Sequence, residues 1–354
     1  MKGLGKRFSD VGSIARASDW WSSKMPTLLA AFYAPFILTG RPIVPAWREG
    51  LVLLAALVVG ATYVSIINDL ADIREDRAAG KPNRLAGRPR RIALSMVLIV
   101  ALVASGVAFA YHWRDDPALV LVYVAAWLSF TAYSLSPLRL KECGFAGLMA
   151  DACGAHLFPS LTAALVAFRA AGVAPWPFWT GVLAVWALGT GLRSILGHQL
   201  RDADADRRSG SQTFVQRVGE NKARRCGERL FFPLELITLF ALLALLPGKI
   251  PALGLAAYST ATIIKLQARQ WSITLVEPRS QCVTLLADYY VTLLPLSLLL
   301  AATSRHPQDA AVLLTHLILF APILLSEATL FLAILRARGL SFALRGPDRR
   351  QGKR

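Results

Sequence analysis

Two short acidic segments, 130 positions apart, carry the same residue types at the same offsets: Asp72-Ile73-Arg74-Glu75-Asp76-Arg77-Ala78-Ala79-Gly80 and Asp202-Ala203-Asp204-Ala205-Asp206-Arg207-Arg208-Ser209-Gly210. On a helix, Asp-x3-Asp sets two carboxylates one turn apart on one face, and Asn68 extends the first face backward by another turn. Two such faces can hold Mg²⁺ between them. That ion takes oxygen ligands, sheds water reluctantly, and is usually bound by one or two carboxylates together with the phosphates of a substrate. The spacing therefore points to a diphosphate-processing site with Asp72, Asp76, Asp202 and Asp206 as its acids.

The elements that must position these acids are membrane helices. With 55% hydrophobic residues and a mean hydropathy of +0.47, a 354-residue chain is too apolar for a soluble domain. Charge-poor stretches near the ~20-residue spanning length lie at about 27–40, 50–68, 92–111, 118–136, 145–168, 175–192, 230–247, 250–264, 283–303 and 310–335. Only two connecting segments are long, 69–91 and 193–229, and each carries one acidic motif. Function in such proteins tends to sit on loops of that kind.

A net charge of +17 raises the question of nucleic acid. With a cytosolic N-terminus, 33 of the 39 Lys and Arg fall on the cytosolic side, and only Arg41, Arg48, Arg114, Arg169, Lys249 and Arg305 lie opposite. The positive-inside rule accounts for the basicity, so no nucleic-acid partner is needed. This orientation places both motifs at the cytosolic surface of an integral membrane protein, expected in a bacterial inner membrane. Residues 1–26 read as a retained interfacial segment with no cleavage site, 27–303 as the membrane domain, 304–336 as an extra span, a lipid-facing appendage or an oligomer contact, and 337–354 as a basic cytosolic tail that can also touch anionic lipid headgroups. Cys143, Cys153, Cys226 and Cys282 show no metal-type spacing, and Cys143 and Cys226 face the reducing side, so neither zinc nor a disulfide framework is indicated.

With its flanks the first loop reads Asn68-Asp69-x2-Asp72-x3-Asp76-x4-Lys81-x2-Arg84-x2-Gly87, which resembles the first signature of the UbiA superfamily of intramembrane prenyltransferases, with Leu85 where that family usually has Pro. Asp202-x3-Asp206-x3-Gly210-x2-Thr213, with Gly219 beyond, is similar to the second signature, and His198 stands where many members have Asn or Tyr. Tyr133-Ser134-x2-Pro137-x-Arg139-x-Lys141 resembles a third recurring element. The three follow the second, fourth and sixth helices in the expected order, and the resemblance covers roughly residues 20 to 303. A single Asp-x3-Asp is better explained by a solvated, salt-bridged loop. Two copies with shared offsets and the third element favour a site.

The resemblance implies an all-α polytopic bundle of nine core transmembrane helices around a central cavity, with the 310–335 segment as a tenth. It implies Mg²⁺-dependent transfer of a prenyl group from a prenyl diphosphate to a small, most often aromatic acceptor. An intramembrane terpene cyclase is the alternative, and phosphoribosyl transfer to a polyprenyl phosphate ranks third. A secondary transporter shares the helix number and internal similarity, but its sites lie near the midplane in broken helices rather than at helix ends. The metal ligands are expected among Asn68, Asp69, Asp72, Asp76, Asp202 and Asp206, with Asp69 acting through water or by orienting Asn68. A diphosphate with about three negative charges beside four aspartates and two Mg²⁺ leaves an excess that nearby cations must offset. Lys81, Arg84, Arg139 and Lys141 are placed to do so, with the Tyr133 hydroxyl as a further donor and Lys24 as a weaker candidate. Glu75 and Asp204 are expected to point away and pair with arginines. Four further acids, Asp151, Glu235, Asp288 and Glu327, fall inside apolar segments, where ionisable groups face the bundle interior. Asp151, with His156, could face an acceptor pocket, and Asp288 could be hydrogen-bonded between helices.

Overall fold

A computed structural model describes residues 16–110, 116–277 and 279–344. The chain runs through helices α1 (Ala17–Thr39), α2 (Trp47–Ala71), α3 (Ile73–Ala79), α4 (Arg90–Ala110), α5 (Pro117–Ser134), α6 (Phe145–Ala152), α7 (Phe158–Ala170), α8 (Pro177–Arg201), α9 (Ala203–Ser209), α10 (Phe214–Val218), α11 (Glu220–Cys226), α12 (Phe232–Leu245), α13 (Ile250–Arg269), α14 (Ala287–Val291), α15 (Leu293–Arg305), α16 (Ala310–Leu319) and α17 (Ala321–Leu344). Five-residue π turns, Cys153–Leu157 and Gly227–Phe231, join α6 to α7 and α11 to α12. Among the described residues the β-structure is one short parallel ladder, Ser272–Thr274 with Cys282–Thr284.

Local sequence sets these boundaries. Asp116 caps α5 by accepting from the Leu119 amide at 3.0 Å, with Pro117 at the first helical position, where its missing N–H costs nothing. Gly40 ends α1 in a left-handed conformation whose amide reaches back to the last turn. Small residues let helices approach: a Cβ on Gly191 of α8 would lie 2.9 Å from Ala152 of α6.

Five segments are long and apolar enough to cross a membrane: Val44–Ala71, Arg91–Ala108, Pro117–Ser134, Phe145–Ala170 and Pro177–Arg201. The ten apolar stretches expected from the sequence are largely helical where they are described, but the others are shorter, more polar or broken, so an all-α membrane bundle is established and the count of nine crossings is not. Exposed side chains such as Leu102 on α4, Leu121 on α5 and Phe178 on α8 face outward, as a lipid-facing surface requires. The interior is closed by Phe36, Leu53, Leu119, Phe168 and Leu299, each at most 1% exposed.

The expected tenth helix is broken in the middle. Pro307–Leu319 and Ala321–Arg336 meet at 78°. Pro322 is the cause, since it lacks an amide hydrogen and disfavours the helical conformation of its predecessor. The bend is buried: Phe320 is fully enclosed, and the Trp21 indole donates to the Leu319 carbonyl at 3.1 Å. The interfacial segment expected at 1–26 becomes, from Ala17 on, the start of α1, and residues 345–354 of the expected basic tail lie outside the described residues.

Three of the four acids in apolar segments have ionic partners. Glu235 of α12 receives both arms of Arg193 of α8, at 2.6 and 2.7 Å, and the Tyr290 hydroxyl at 2.7 Å. The same Arg193 donates to the carbonyls of Leu275 and Leu285, fastening the loop that follows α13. Lys265 pairs with Glu327 at 2.5 Å and with Asp288 at 3.6 Å, tying α17 and α14 to α13. A buried charge needs this kind of pairing, so these are bundle fasteners.

Candidate functional site

The two acidic motifs are repeats at the level of single hydrogen bonds. The long helix α2 stops at Ala71, and Asp72 turns the chain into the seven-residue α3; α8 stops at Arg201, and Asp202 turns the chain into the seven-residue α9. Neither joint breaks the ladder. The Asp72 amide bonds the Asn68 carbonyl and that of Asp76 bonds Asp72, while Asp202 bonds His198 and Asp206 bonds Asp202, all at 2.8–3.0 Å. Gly80 and Gly210 then end α3 and α9 at φ +70° and +76°, a conformation glycine adopts without strain. The helix assumed for Asp72–Asp76 is therefore real but kinked at its first aspartate.

Equivalence continues past the motifs. Asn83 donates to Asp76 Oδ2 at 2.8 Å, and Thr213, 130 positions on, donates to Asp206 Oδ2 at 3.3 Å. Leu85 and Val215 are each 1% exposed and anchor the two loops. In this way each loop holds its second aspartate from the side, an arrangement that orients a carboxylate toward a neighbouring ligand.

The two repeats meet. Helices α3 and α9 pack together, and Lys81 from the first loop lies 2.9 Å from Asp202 Oδ2 of the second. Lys141, after α5, pairs with Asp72 Oδ1. Asp72, Asp76, Asp202 and Asp206 line one pocket of about 160 Å³, together with Lys81, Lys141 and Tyr133. Burial pushes the carboxyls of Asp72 and Asp206 above the usual aspartate range; Lys141 and Arg139 beside Asp72, and Lys81 beside Asp206, counter it only in part. Asp72 and Asp206 are thus the partly desolvated carboxylates of the pocket. Among the described residues no three His, Cys, Asp or Glu side chains converge as a self-sufficient metal cluster.

Four residues expected at the site stand at its margin or outside it. Asp69, a quarter turn from the Asn68–Asp72 face, points away from the pocket and pairs with Arg16 at 3.4 Å. Arg84 does not line the pocket; its backbone amide hydrogen-bonds Asp69. Arg139, at φ +37°, spends its guanidinium on Glu142 at 2.5 Å and Glu75 at 2.8 Å, with Asp72 at 3.6 Å. Asn68 Oδ1 accepts from the Ser134 hydroxyl, which joins α2 to α5 just behind the pocket. Asp204 points outward onto Arg207, as expected, whereas Glu75 pairs with Arg139 and still lines the pocket. Sequence reasoning missed Asn83 and Gln199, and it read Thr213 and His198 only as motif positions. The signal for Asn83 was its place 130 residues before Thr213.

A second, apolar cavity of about 130 Å³ lies deeper, between α1, α2, α5 and the α6–α7 helix. Its walls include Trp20, Leu28, Leu57, Tyr63, Tyr123, Trp127 and Phe130, and Lys24 lines this cavity rather than the acidic pocket. Phe130 in the apolar cavity and Tyr133 in the acidic pocket are one turn apart on α5, and Ser65 of α2 lies seven residues before Asp72. The Asn68–Ser134 bond therefore lies at the level where the two spaces adjoin.

Residues 25–286 match the model of the UbiA prenyltransferase family. Two solved structures of a UbiA homolog from Archaeoglobus fulgidus share the fold. One, bound to GPP and Mg²⁺, has a TM-score of 0.56 at 14% identity, covering 84% of this chain and 99% of that one. The other, bound to DMAPP and Mg²⁺, has a TM-score of 0.56 at 16% identity, covering 84% and 98%. No curated protein matches the chain. The chain belongs to the UbiA prenyltransferase family, and its apolar helices make it an integral membrane protein.

Proposed function

We propose that this member of the UbiA prenyltransferase family catalyses Mg²⁺-dependent transfer of a prenyl group from a prenyl diphosphate to an aromatic acceptor, with release of diphosphate. One observation carries the reading: aspartates of both repeats line a single pocket that adjoins an apolar cavity inside a membrane bundle. The solved homologs bound to GPP and DMAPP with Mg²⁺ support it.

The donor set fits magnesium. Asp72, Asp76, Asp202 and Asp206 supply hard oxygen ligands of the kind Mg²⁺ takes together with substrate phosphate. Bound there, Mg²⁺ would neutralise charge building on the departing diphosphate. The chain's own residues do the rest. Lys81 and Lys141, which pair with Asp202 and Asp72, line the same pocket and would donate to phosphate oxygens of a diphosphate held there. Tyr133 lines the same pocket and can add a hydrogen bond. Asn83 and Thr213 keep Asp76 and Asp206 turned inward. The apolar walls, with Phe130, Tyr63 and Trp127 among them, exclude water from the allylic cation.

The basic residues concentrated on the loops that carry the motifs favour a cytosolic site, and nine core crossings with a broken tenth remain the arrangement that the helix order best supports. The test is turnover by the purified protein in detergent with Mg²⁺ and geranyl diphosphate, with and without a panel of phenolic acceptors. Prenylated phenol with stoichiometric diphosphate supports transfer. A cyclic hydrocarbon formed from the donor alone supports cyclisation instead. No Mg²⁺-dependent diphosphate release from any donor, with or without acceptor, rejects both.

A further inference from the structure

The apolar cavity has a floor, and its depth is readable from all four surrounding helices. On α2 its lining runs from Ser65 to Ala56, on α5 from Phe130 to Tyr123, on α1 from Trp20 to Leu28, and on the α6–α7 helix from Gly154 to Thr162. These stretches of eight to ten residues, seven to nine steps along the helix, correspond to about 10–14 Å at the helical rise of 1.5 Å per residue. Below them the bundle is solid: Leu53 is unexposed, and Leu119, Phe32 and Val166 are between 1% and 3% exposed. Tyr123 forms the corner of the floor. It is 6% exposed and stacks edge-on against Trp127 at 6.0 Å, which in turn meets Tyr63 at 4.5 Å.

We infer that this floor makes the protein selective for short prenyl diphosphates of at most three isoprene units, with Tyr123 as the residue that sets the limit. The inference rests on the proposed prenyl-diphosphate reading of the acidic pocket. An isoprene unit contributes four chain bonds, or about 5 Å of extended length at ordinary C–C distances near 1.5 Å. The first unit fills the neck beside Asn68 and Ser134, which on α2 lies three residues, about 5 Å, above the cavity lining. The cavity then has length for two more. A fourth unit meets the Tyr123 ring and the packed layer behind it, where every atom displaced is one that already makes close contacts.

Gly60 offers a handle in the opposite direction. It lines the cavity on α2, midway between neck and floor, and a Cβ there would meet nothing within 4 Å. A large side chain at this position would fill the void without displacing the helix.

The experiment measures Mg²⁺-dependent equilibrium binding of dimethylallyl, geranyl, farnesyl and geranylgeranyl S-thiolodiphosphates, unreactive analogues, to the purified full-length protein in one detergent. Comparing the ratio of affinities between variants cancels differences in partitioning of the ligands into micelles. Wild type is expected to bind the farnesyl analogue best and the geranylgeranyl analogue at least 10-fold more weakly. Tyr123→Ala should reduce that ratio at least 10-fold by opening the floor. Gly60→Phe should move the optimum to the geranyl or dimethylallyl analogue. Should Tyr123→Ala fail to fold, Tyr123→Leu and Gly60→Phe carry the test. Equal binding of the farnesyl and geranylgeranyl analogues by wild type, or an unchanged preference in the variants that fold, overturns the inference and leaves the diphosphate site standing. Failure of every analogue to bind in a Mg²⁺-dependent way defeats the underlying reading instead.

Discussion

The ammonium of Lys81 lies 2.9 Å from a carboxylate oxygen of Asp202, although the two residues are 121 positions apart and belong to different repeats. The contact joins the loop after α3 to the joint after α8 and closes one wall of the acidic pocket. Both groups are substantially exposed, at 35% and 52% of their side-chain surface, so the pair adds no more than about 1 kcal/mol to stability. Its meaning is positional: a mobile cation is held beside the metal-binding acids.

Replacing Lys81 by Met should therefore harm binding far more than folding. We expect the Mg²⁺-dependent affinity for geranyl diphosphate to fall about 10-fold or more, the loss of a charge-assisted hydrogen bond to phosphate. The thermal midpoint in detergent should stay within a few degrees of wild type, since surface substitutions are usually worth under ~0.5 kcal/mol. A large loss of stability with unchanged affinity would reverse the assignment.

Asn83 and Thr213 occupy equivalent positions in the two repeats and hold Asp76 and Asp206 respectively. Asn83→Ala and Thr213→Val should each weaken the apparent affinity for Mg²⁺, read from the metal dependence of turnover, by about 10- to 100-fold, as loss of a ligand's supporting hydrogen bond does elsewhere. Thr213→Ser, which keeps the hydroxyl, should recover most of it. A role confined to loop folding would lower stability and leave the metal dependence in place.

Burial raises the Asp72 and Asp206 carboxyls above the ordinary aspartate value of 3.8 in the metal-free protein. Raised acids bind protons more tightly folded than unfolded, so their contribution to stability is present below 3.8 and is lost as pH rises through the shifted values. Magnesium binds the deprotonated form and offsets that loss. Melting in detergent with and without Mg²⁺ should show a metal-induced rise in midpoint that is larger at pH 8 than at pH 3.8, where even an unshifted aspartate is half protonated. An equal rise at both pH values would mean that these aspartates do not ligate the ion.

The Arg193–Glu235 pair should behave as a structural fastener. Glu235→Leu alone leaves a guanidinium uncompensated in the bundle and should cost about 3–5 kcal/mol, whereas Arg193→Met with Glu235→Leu should recover part of the loss. Detergent melts of the single and double variants check this. If Glu235→Leu instead abolishes turnover with normal stability, the acid belongs to the reaction.

Much of the site was legible before any coordinates, because its chemistry depends on local spacing. Asp72, Asp76, Asp202 and Asp206 come together in one pocket, with Lys81, Tyr133 and Lys141 beside them. What spacing could not show is the direction in which each side chain leaves its helix. Arg84 is close to Lys81 in sequence yet lies on the Asp69 side, and Arg139 is consumed by Glu75 and Glu142. The pairing of Arg193 with Glu235 joins helices 42 residues apart and depends on how α8 and α12 pack, for which the sequence carries no local sign. The break at Phe320 did have one, since Pro322 stands inside an apolar run that hydropathy alone reads as continuous.

The account stands on carboxylates from both repeats acting on one diphosphate through magnesium. Equilibrium binding of geranyl S-thiolodiphosphate to wild type, Asp72→Asn and Asp202→Asn, each with and without Mg²⁺, tests this without requiring the acceptor. Binding is expected to need Mg²⁺ in wild type and to fall by about two orders of magnitude or more in each single variant, as when a preorganised charge-stabilising group is lost. Wild-type, Mg²⁺-dependent affinity in either variant would show that the repeat concerned does not share in holding the diphosphate.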